Sequence, residues 1–421
     1  MSAPSGPAAG RPIFATSYAG FALVGWSMLL VPSLIRDIRA EFAQTDAGFG
    51  ALYLVTALMF GTGAFLSGAL AGRVGRRTIL PVAAGALAAG LAAQGLAPAW
   101  PLLILGAALA AWGAGALDAG VNSVVMDLSV TGRGDALSRL HLFYSVGALT
   151  APLAMGLLLA AGVDWRVPMV TSAVAGLALI APLQAVGAVP ARARALAAPT
   201  NGAGGAPAGI RTPTTAAPRT VPPSLRVPLA ALAIAIACYV AAEAGVSSWL
   251  VAFLEAEPLT TATLALSLFW LGLAGGRLVA GRIGRRIDPV RYAVTSVLVG
   301  AAAIAGAVLG PAGTVQIALF AVAGFGLGPV YPMIMAVAGT YYPHRAAAVS
   351  GLLTTAGVAG SVLYPPLMGF TSASLGLAAG MLGAAALGVG CAAAVLVATR
   401  AAGRRRAPEP VPVAVGGSGE G

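Results

Sequence analysis

Gly68-Ala-Leu-Ala-Gly-Arg-Val-Gly-Arg-Arg77 and Arg277-Leu-Val-Ala-Gly-Arg-Ile-Gly-Arg-Arg286 are the two stretches that decide how this chain folds. Gly72 to Arg77 and Gly281 to Arg286 differ only at Val74 and Ile283, so glycine spacing agrees as well as charge. Each copy follows the second long apolar run of its half of the chain. A motif that recurs in the same direction at the same loop of both halves marks a parallel internal repeat.

Working outward from these loops, apolar runs separated by charge, Pro and Gly give twelve predicted spans. The first six cover about 13–35, 47–70, 78–98, 101–129, 137–161 and 166–188. The last six cover about 227–254, 261–281, 289–310, 313–338, 346–370 and 373–399. Each is about the 20 residues a helix needs to cross the hydrocarbon core. Residues 1–12 form an expected N-terminal tail, 189–226 a Pro/Ala/Thr/Gly linker with little to bury, and 400–421 a disordered tail. The first run is too long for a signal-peptide core, so no cleaved leader is expected.

Composition agrees with the count. Hydrophobic residues make up 58% of the 421, charged residues 9%, and the mean hydropathy is +0.89. Soluble domains carry about a quarter charged residues. In lipid the backbone must satisfy its own hydrogen bonds, which leaves helices or closed barrels, and no alternating ten-residue strands occur. The formal charge of +11 comes from arginine, since the chain has no Lys. These arginines sit in short loops beside apolar runs, which points to a membrane face and not to nucleic acid. Cys238 and Cys391 lie inside apolar runs and offer neither a metal spacing nor a disulfide framework. With no nucleophile motif either, an enzyme is not expected, and neither is a cofactor or metal.

Arginine also orients the chain. With both termini inside, Arg73, Arg76, Arg77, Arg133, Arg139, the linker arginines, Arg282, Arg285, Arg286, Arg291, Arg345 and the C-terminal cluster all stay cytoplasmic. Arg36, Arg39 and Arg166 alone fall on the other side. The expected location is the plasma membrane, multi-pass, as a monomer in the bilayer.

The loop after the second span resembles the major facilitator superfamily, whose members carry a G-x-L-x-D-R-x-G-R-R type motif there. Gly68, Leu70, Arg73, Gly75, Arg76 and Arg77 match it, and Arg282, Gly284, Arg285 and Arg286 repeat it. The acidic position is Gly72, and Gly281 in the second copy. The resemblance implies an all-α membrane protein with twelve transmembrane helices in two pseudo-symmetric six-helix bundles, and a cytoplasmic gate at this loop. Asp127, at the cytoplasmic end of the fourth span, is the expected substitute partner for one of these arginines.

A narrower likeness is to the fucose-permease type, the sugar/proton symporters of that superfamily. Gly113 to Asn122 is similar to that branch's G-x-G-x-L-[DE]-x-x-x-N stretch. His141 to Ala148, Tyr239 to Trp249, Trp270 to Arg277 and Gly324 to Pro332 carry the rest. The branch also has a carboxylate in its first helix, whereas residues 13–35 hold none before the flanking Arg36.

A charged group at mid-membrane costs about 2.5–3.5 kcal/mol on insertion scales, so each one is a functional candidate. Asp118 lies mid-span with Asn122 one turn on, a pair suited to polyol hydroxyls or to carrying a proton. Glu243 lies at similar depth in the seventh span, with Tyr239 and Ser247 on its face. In the superfamily fold the first, fourth, seventh and tenth helices line the cavity, so Asp118 and Glu243 would face each other across the halves. His141 and Tyr144 share a face of the fifth span, as relay or gate groups. Arg277 is expected to pair with a carboxylate of the facing half or to snorkel. Trp249 and Trp270 stand out as sugar-stacking candidates among Trp26, Tyr53, Trp112, Tyr331 and Tyr364, since Trp and Tyr also mark membrane interfaces. Pro329 and Pro332 are expected to break the tenth helix.

The function expected is transport by alternating access, as proton-coupled uptake of a sugar or similar polar small solute. Two rivals stand beside it. One is proton-driven efflux of an amphipathic compound, for which Gly147 to Gly156 is a loose match to an antiporter stretch lacking two of its glycines. The other is a non-transporting sensor or scaffold, for which no appended domain speaks.

Overall fold

The computed structural model describes residues 7–129, 133–188, 223–283 and 286–403. Most of the linker, the C-terminal tail, Gly284 and Arg285 lie outside the described residues, as do the side chains of Arg133 and His344. All regular structure among the described residues is helical.

The first half comprises α1 (Pro7–Ser33), a short α2 (Ile35–Phe42), α3 (Asp46–Leu70), α4 (Arg76–Gly95), α5 (Trp100–Leu128), α6 (Arg133–Ala160), α7 (Arg166–Ala178) and α8 (Ile180–Gly187). The second half comprises α9 (Pro223–Phe253), α10 (Leu259–Ile283), α11 (Pro289–Leu309), α12 (Thr314–Leu327), α13 (Val330–Tyr341), a 3-10 turn (Pro343–Arg345) and α14 (Ala346–Gly403). The sixth span is thus α7 with α8, and the tenth is α12 with α13, interrupted at Gly328 and Pro329. Pro329 marks the predicted break, while Pro332 sits inside the first turn of α13, where a missing N–H is harmless.

Twelve spans emerge once α14 is divided. Its 58 residues would reach about 87 Å as one helix, against a hydrocarbon core of about 30 Å. Gly376, at φ 73° and ψ 160°, breaks it into the eleventh and twelfth spans. Positive φ costs glycine little, and helix therefore runs past the expected boundary near 370 as far as this residue. Helix also begins before residue 13 and before 227, and continues to Gly403, so each expected tail or linker gives up a few residues to its neighbouring span.

The repeat is visible in packing. In the first half α1 pairs with α6 and α3 with α5; in the second α9 pairs with the eleventh span of α14 and α10 with α12. These are the same span pairs, six positions apart. Glycine brings the backbones together in each: Gly147 lies against Ala22, Gly115 against Phe60, Gly360 against Ala237 and Gly324 against Phe269. Close approach of this kind is what holds helices together where lipid removes the hydrophobic drive.

The halves meet through α3 against the eleventh span and α6 against α10. Both contacts lie at the end of the molecule opposite the chain termini, here called the far end. Gly50 abuts Pro366 and Gly369, and Gly156 abuts Thr263. At the end that carries the termini, Gly61, Gly68, Gly281, Gly339 and Gly351 have open space beside them.

Candidate solute-binding site

Halfway along the spans, five helices bring polar side chains to the divide between the halves. On α5, Asn122 Nδ2 donates to Asp118 Oδ2 at 3.3 Å and to the Asp118 carbonyl at 3.0 Å. No salt bridge forms at Asp118 among the described residues. On α9, the Tyr239 hydroxyl donates to Glu243 Oε2. Arg277 of α10 reaches across with Nη2, 3.2 Å from Glu243 Oε1, 3.3 Å from Oε2 and 3.4 Å from the Tyr239 oxygen. The expected partner in the facing half is therefore replaced by Glu243 of Arg277's own half. Arg277 starts about two turns nearer the termini end than Glu243, and its long side chain reaches back along the adjacent helix to meet it.

Tyr144 of α6 joins the two sides: it lies within electrostatic range of Asp118, Glu243 and Arg277, and its ring is 6.0 Å from that of Trp270. His141, one turn nearer the termini, is exposed, meets Phe21 edge-on at 5.3 Å and is within range of Arg277. Tyr331 of α13 stands 6.3 Å from the Tyr239 ring and shares a 3.0 Å hydrogen bond with Thr354. Although these groups sit at mid-span, the Glu243 side chain is 16% exposed and that of Arg277 33%. Their charges thus face a space between the halves, not lipid-packed protein.

Trp249 does not belong here. It is fully buried, donates to the Pro365 carbonyl at 2.8 Å and packs edge-on against Tyr53, so it serves the far-end seal instead of the expected stacking role. Other aromatics also turn to packing: Trp26 bonds Ser172 at 2.8 Å and Tyr364 bonds the Gly380 carbonyl at 2.6 Å. A small recess lined by Ser27, Tyr53, Thr56 and Gln94 lies inside the first half and holds no charged group.

At the termini end, Arg76 pairs with Asp127 at 2.6 Å, supplying the carboxylate that Gly72 does not. Gly75 opens α4 at φ 82°, a conformation that explains a glycine at this motif position. Arg73, Arg77, Arg282 and Arg286 are exposed.

The far end carries a residue that the sequence reading placed only by charge. Arg36 of α2 donates through Nε to the Val251 carbonyl at 3.0 Å, through Nη1 to that of Glu257 at 2.8 Å and through Nη2 to that of Leu254. One guanidinium of the first half thus caps the C-terminal carbonyls of α9 in the second. Arg39 pairs with Asp46 and reaches Glu255 at 4.0 Å, and the Tyr53 hydroxyl bonds the Ser248 carbonyl at 2.9 Å.

A twelve-span, two-bundle membrane fold with charged groups on a central divide defines a class of transporter. The chain belongs to the Major Facilitator Superfamily, which it matches over residues 16–358 and again over 232–417. No curated protein matches it in sequence. Among solved structures it is similar to a bacterial homolog of the human lysosomal transporter Spinster, in an inward-facing and unoccupied conformation. That likeness has a TM-score of 0.68 at 17% identity, over 95% of this chain and 96% of the other. The nucleoside transporter NupG aligns with a TM-score of 0.70 at 12% identity, over 92% and 99%. The D-xylose-proton symporter gives 0.68 at 15%, over 92% and 97%. At these identities the likeness concerns the fold.

Proposed function

We propose that this transporter takes up a polar small solute, a sugar or a related compound, together with protons. The observation that carries the reading is that Tyr144 lies within electrostatic range both of Asp118, which Asn122 bonds, and of the Glu243–Arg277 pair in the other half. Asp118 is bonded by the Asn122 carboxamide and meets no cation among the described residues, so we assign it the coupling proton. Asn122, Tyr144, Tyr239 and Trp270 supply donors and acceptors for hydroxyl groups, and His141 stands on the route to the termini end.

The arginine distribution supports a cytoplasmic termini end in a plasma membrane. With the far end packed and the termini end apart, the chain then adopts an inward-open state. Gly68, Arg73, Gly75, Arg76, Arg77 and Asp127, with Arg282 and Arg286, form the cytoplasmic gate in this reading. The antiporter-like stretch favours no rival, because Gly147 and Gly156 are occupied by close packing against α1 and α10.

The test is accumulation in proteoliposomes of radiolabelled sugars and related solutes with the outside acidified. Asp118→Asn should abolish uphill accumulation and spare exchange. Accumulation that ignores the proton gradient would sink symport, and gradient-driven extrusion would favour efflux.

A further inference from the structure

The hydrogen-bonding capacity around the divide is unbalanced. Most buried serines of the spans satisfy their hydroxyl on a carbonyl one turn back, as Ser17, Ser27, Ser33, Ser145 and Ser172 do. Ser247 and Ser267 do not, and their oxygens are buried without a partner. The Trp270 indole N–H is likewise buried and unpaired, with the residue 5% exposed. All three lie on the far-end side of the ion pair. Ser247 lies one turn beyond Glu243 on α9, while Ser267, Trp270 and Arg277 share one face of α10 at helical spacing. Arg277 adds to the surplus, because every contact it makes among the described residues uses Nη2. Its Nε and Nη1 meet no partner among the described residues and, with the side chain 33% exposed, stand open to the space at the divide. A buried donor without a partner is costly to the fold, and such costs are tolerated where a ligand meets them.

Donors gathered around a guanidinium call for a ligand rich in acceptors. We infer that the solute is a polyhydroxy monocarboxylate, such as a sugar acid, whose carboxylate binds Arg277 and whose hydroxyls meet Trp270, the two serines and Asp118 with Asn122. Seven residues separate Trp270 from Arg277, about 10 Å along the helix axis, which a six-carbon acid spans with its contacts at both ends. Arginine is suited to this by its fork of donors, two of which stand open.

The inference rests on the proposed uptake and adds a coupling step to it. The solute carboxylate takes over Nη2 while one proton enters the cluster with it, so the net charge of the cluster is unchanged. The groups around the pair are Tyr239 on the helix of Glu243 and Tyr144 from α6, with His141 within range of Arg277. Arg277 is the cation among them, so a second carboxylate beside it is balanced by the proton that the proposed uptake assigns to Asp118.

The test compares gluconate, glucuronate and galacturonate with glucose, galactose and glucosamine as ligands of the purified full chain, read by thermal stabilisation at mildly acidic pH. The acids should bind about tenfold or more tightly than the neutral parents, as expected when a charge-assisted contact is lost. Arg277→Gln should erase that preference and Arg277→Lys retain part of it. Because Arg277→Gln strands Glu243, the double variant Arg277→Gln with Glu243→Gln serves as the folded control and should bind acid and parent alike. Neutral sugars binding as tightly as the acids, no acid binding at all, or a double variant that keeps the preference would each overturn the inference. Proton-driven accumulation separates the two readings: gradient-driven uptake of a neutral sugar alone leaves uptake standing and rejects the acid. Acid binding without gradient-driven uptake does the reverse.

Discussion

The far end and the termini end of this molecule are built from the same repeated spans, yet among the described residues the contacts that seal one half against the other gather at the far end. At the far end the seal combines glycine contacts, Gly50 on Gly369 and Gly156 on Thr263, with hydrogen bonds from Arg36 and Tyr53 to backbone carbonyls of the other half. At the termini end, the described ion pair Arg76–Asp127 stays within the first half. A transporter that rocks must make each seal weak enough to lose. The far end does so mainly with contacts that carry no charge on the receiving side, since Arg36 binds carbonyls, and its cross-half ion pair, Arg39 with Glu255 at 4.0 Å, is largely exposed on the Glu255 side. Its energy therefore resides mostly in shape and in hydrogen bonds released together, and it should depend only weakly on salt.

The most disruptive way to break the seal is to fill a glycine. A methyl at Gly369 would stand 2.5 Å from the Asp46 carbonyl and 2.8 Å from Gly50 Cα, and backbone cannot move aside as a side chain can. Gly369→Ala should cost the sealed state about 1–3 kcal/mol, the usual range for overpacking. Labelling of a cysteine placed at Ser248 by a membrane-impermeant thiol reagent from the far side should rise about tenfold or more. Labelling as slow as in the parent would show that the seal is not where the halves part.

Arg36→Ala removes three cross-half hydrogen bonds but leaves the glycine contact intact. Part of the loss returns as water reaches the freed carbonyls, so an increase of about five- to thirtyfold in the same labelling is expected, for a shift of about 1–2 kcal/mol. Arg36→Lys should behave like Ala, because an ammonium cannot reach three carbonyls in fork geometry. Full retention by Lys would mean that charge, not geometry, holds the α9 terminus.

The two ends also differ in how far the sequence discloses them. The Gly-Arg-x-Gly-Arg-Arg loops and the apolar runs between them disclose span number and repeat, because lipid imposes the same length on every span. Asp118, Glu243, Tyr144 and Trp270 were visible as costly polar groups in apolar runs, and the structure gathers them at one divide. What the sequence withholds is which half a partner comes from. Arg277, expected either to pair across the divide or to snorkel, meets Glu243 of its own half, and Trp249, expected as a stacking candidate, stands in the seal. Both depend on helix rotation, which in a span apolar all round has no periodic signal. Arg36 shows the complementary limit: its charge placed it outside the membrane, but its three partners are main-chain carbonyls, which every residue has. The unpaired Ser247 and Ser267 became meaningful only beside serines that do bond their own helix.

At the termini end, Asp127→Asn should have a smaller effect. The Arg76 and Asp127 side chains are 23% and 31% exposed, so solvent screens their attraction and the loss should be about 0.5 kcal/mol or less. Thermal stability should fall by a degree or so, with far-side labelling of the Ser248 cysteine unchanged. A clear rise in that labelling would tie the pair to the opposite seal and erase the contrast between the ends.

The finest test concerns Asp37, which lies beside Arg36 on α2, outside the spans. Its Oδ2 is buried without a partner. Burial raises its pKa above the ordinary 3.8, opposed by its own backbone N–H and by Arg36. A carboxyl that holds its proton more tightly when folded stabilises the fold most below that range, and the contribution is lost as pH rises through the raised value. Far-end stability should therefore be greater at acidic than at neutral pH, and Asp37→Asn should flatten that component of a pH series of thermal melts. The slope distinguishes this group from Arg36, whose guanidinium, although burial lowers its pKa, stays charged throughout. An unchanged slope in the Asn variant would assign the pH response elsewhere and leave the seal a matter of glycine contact and guanidinium geometry alone.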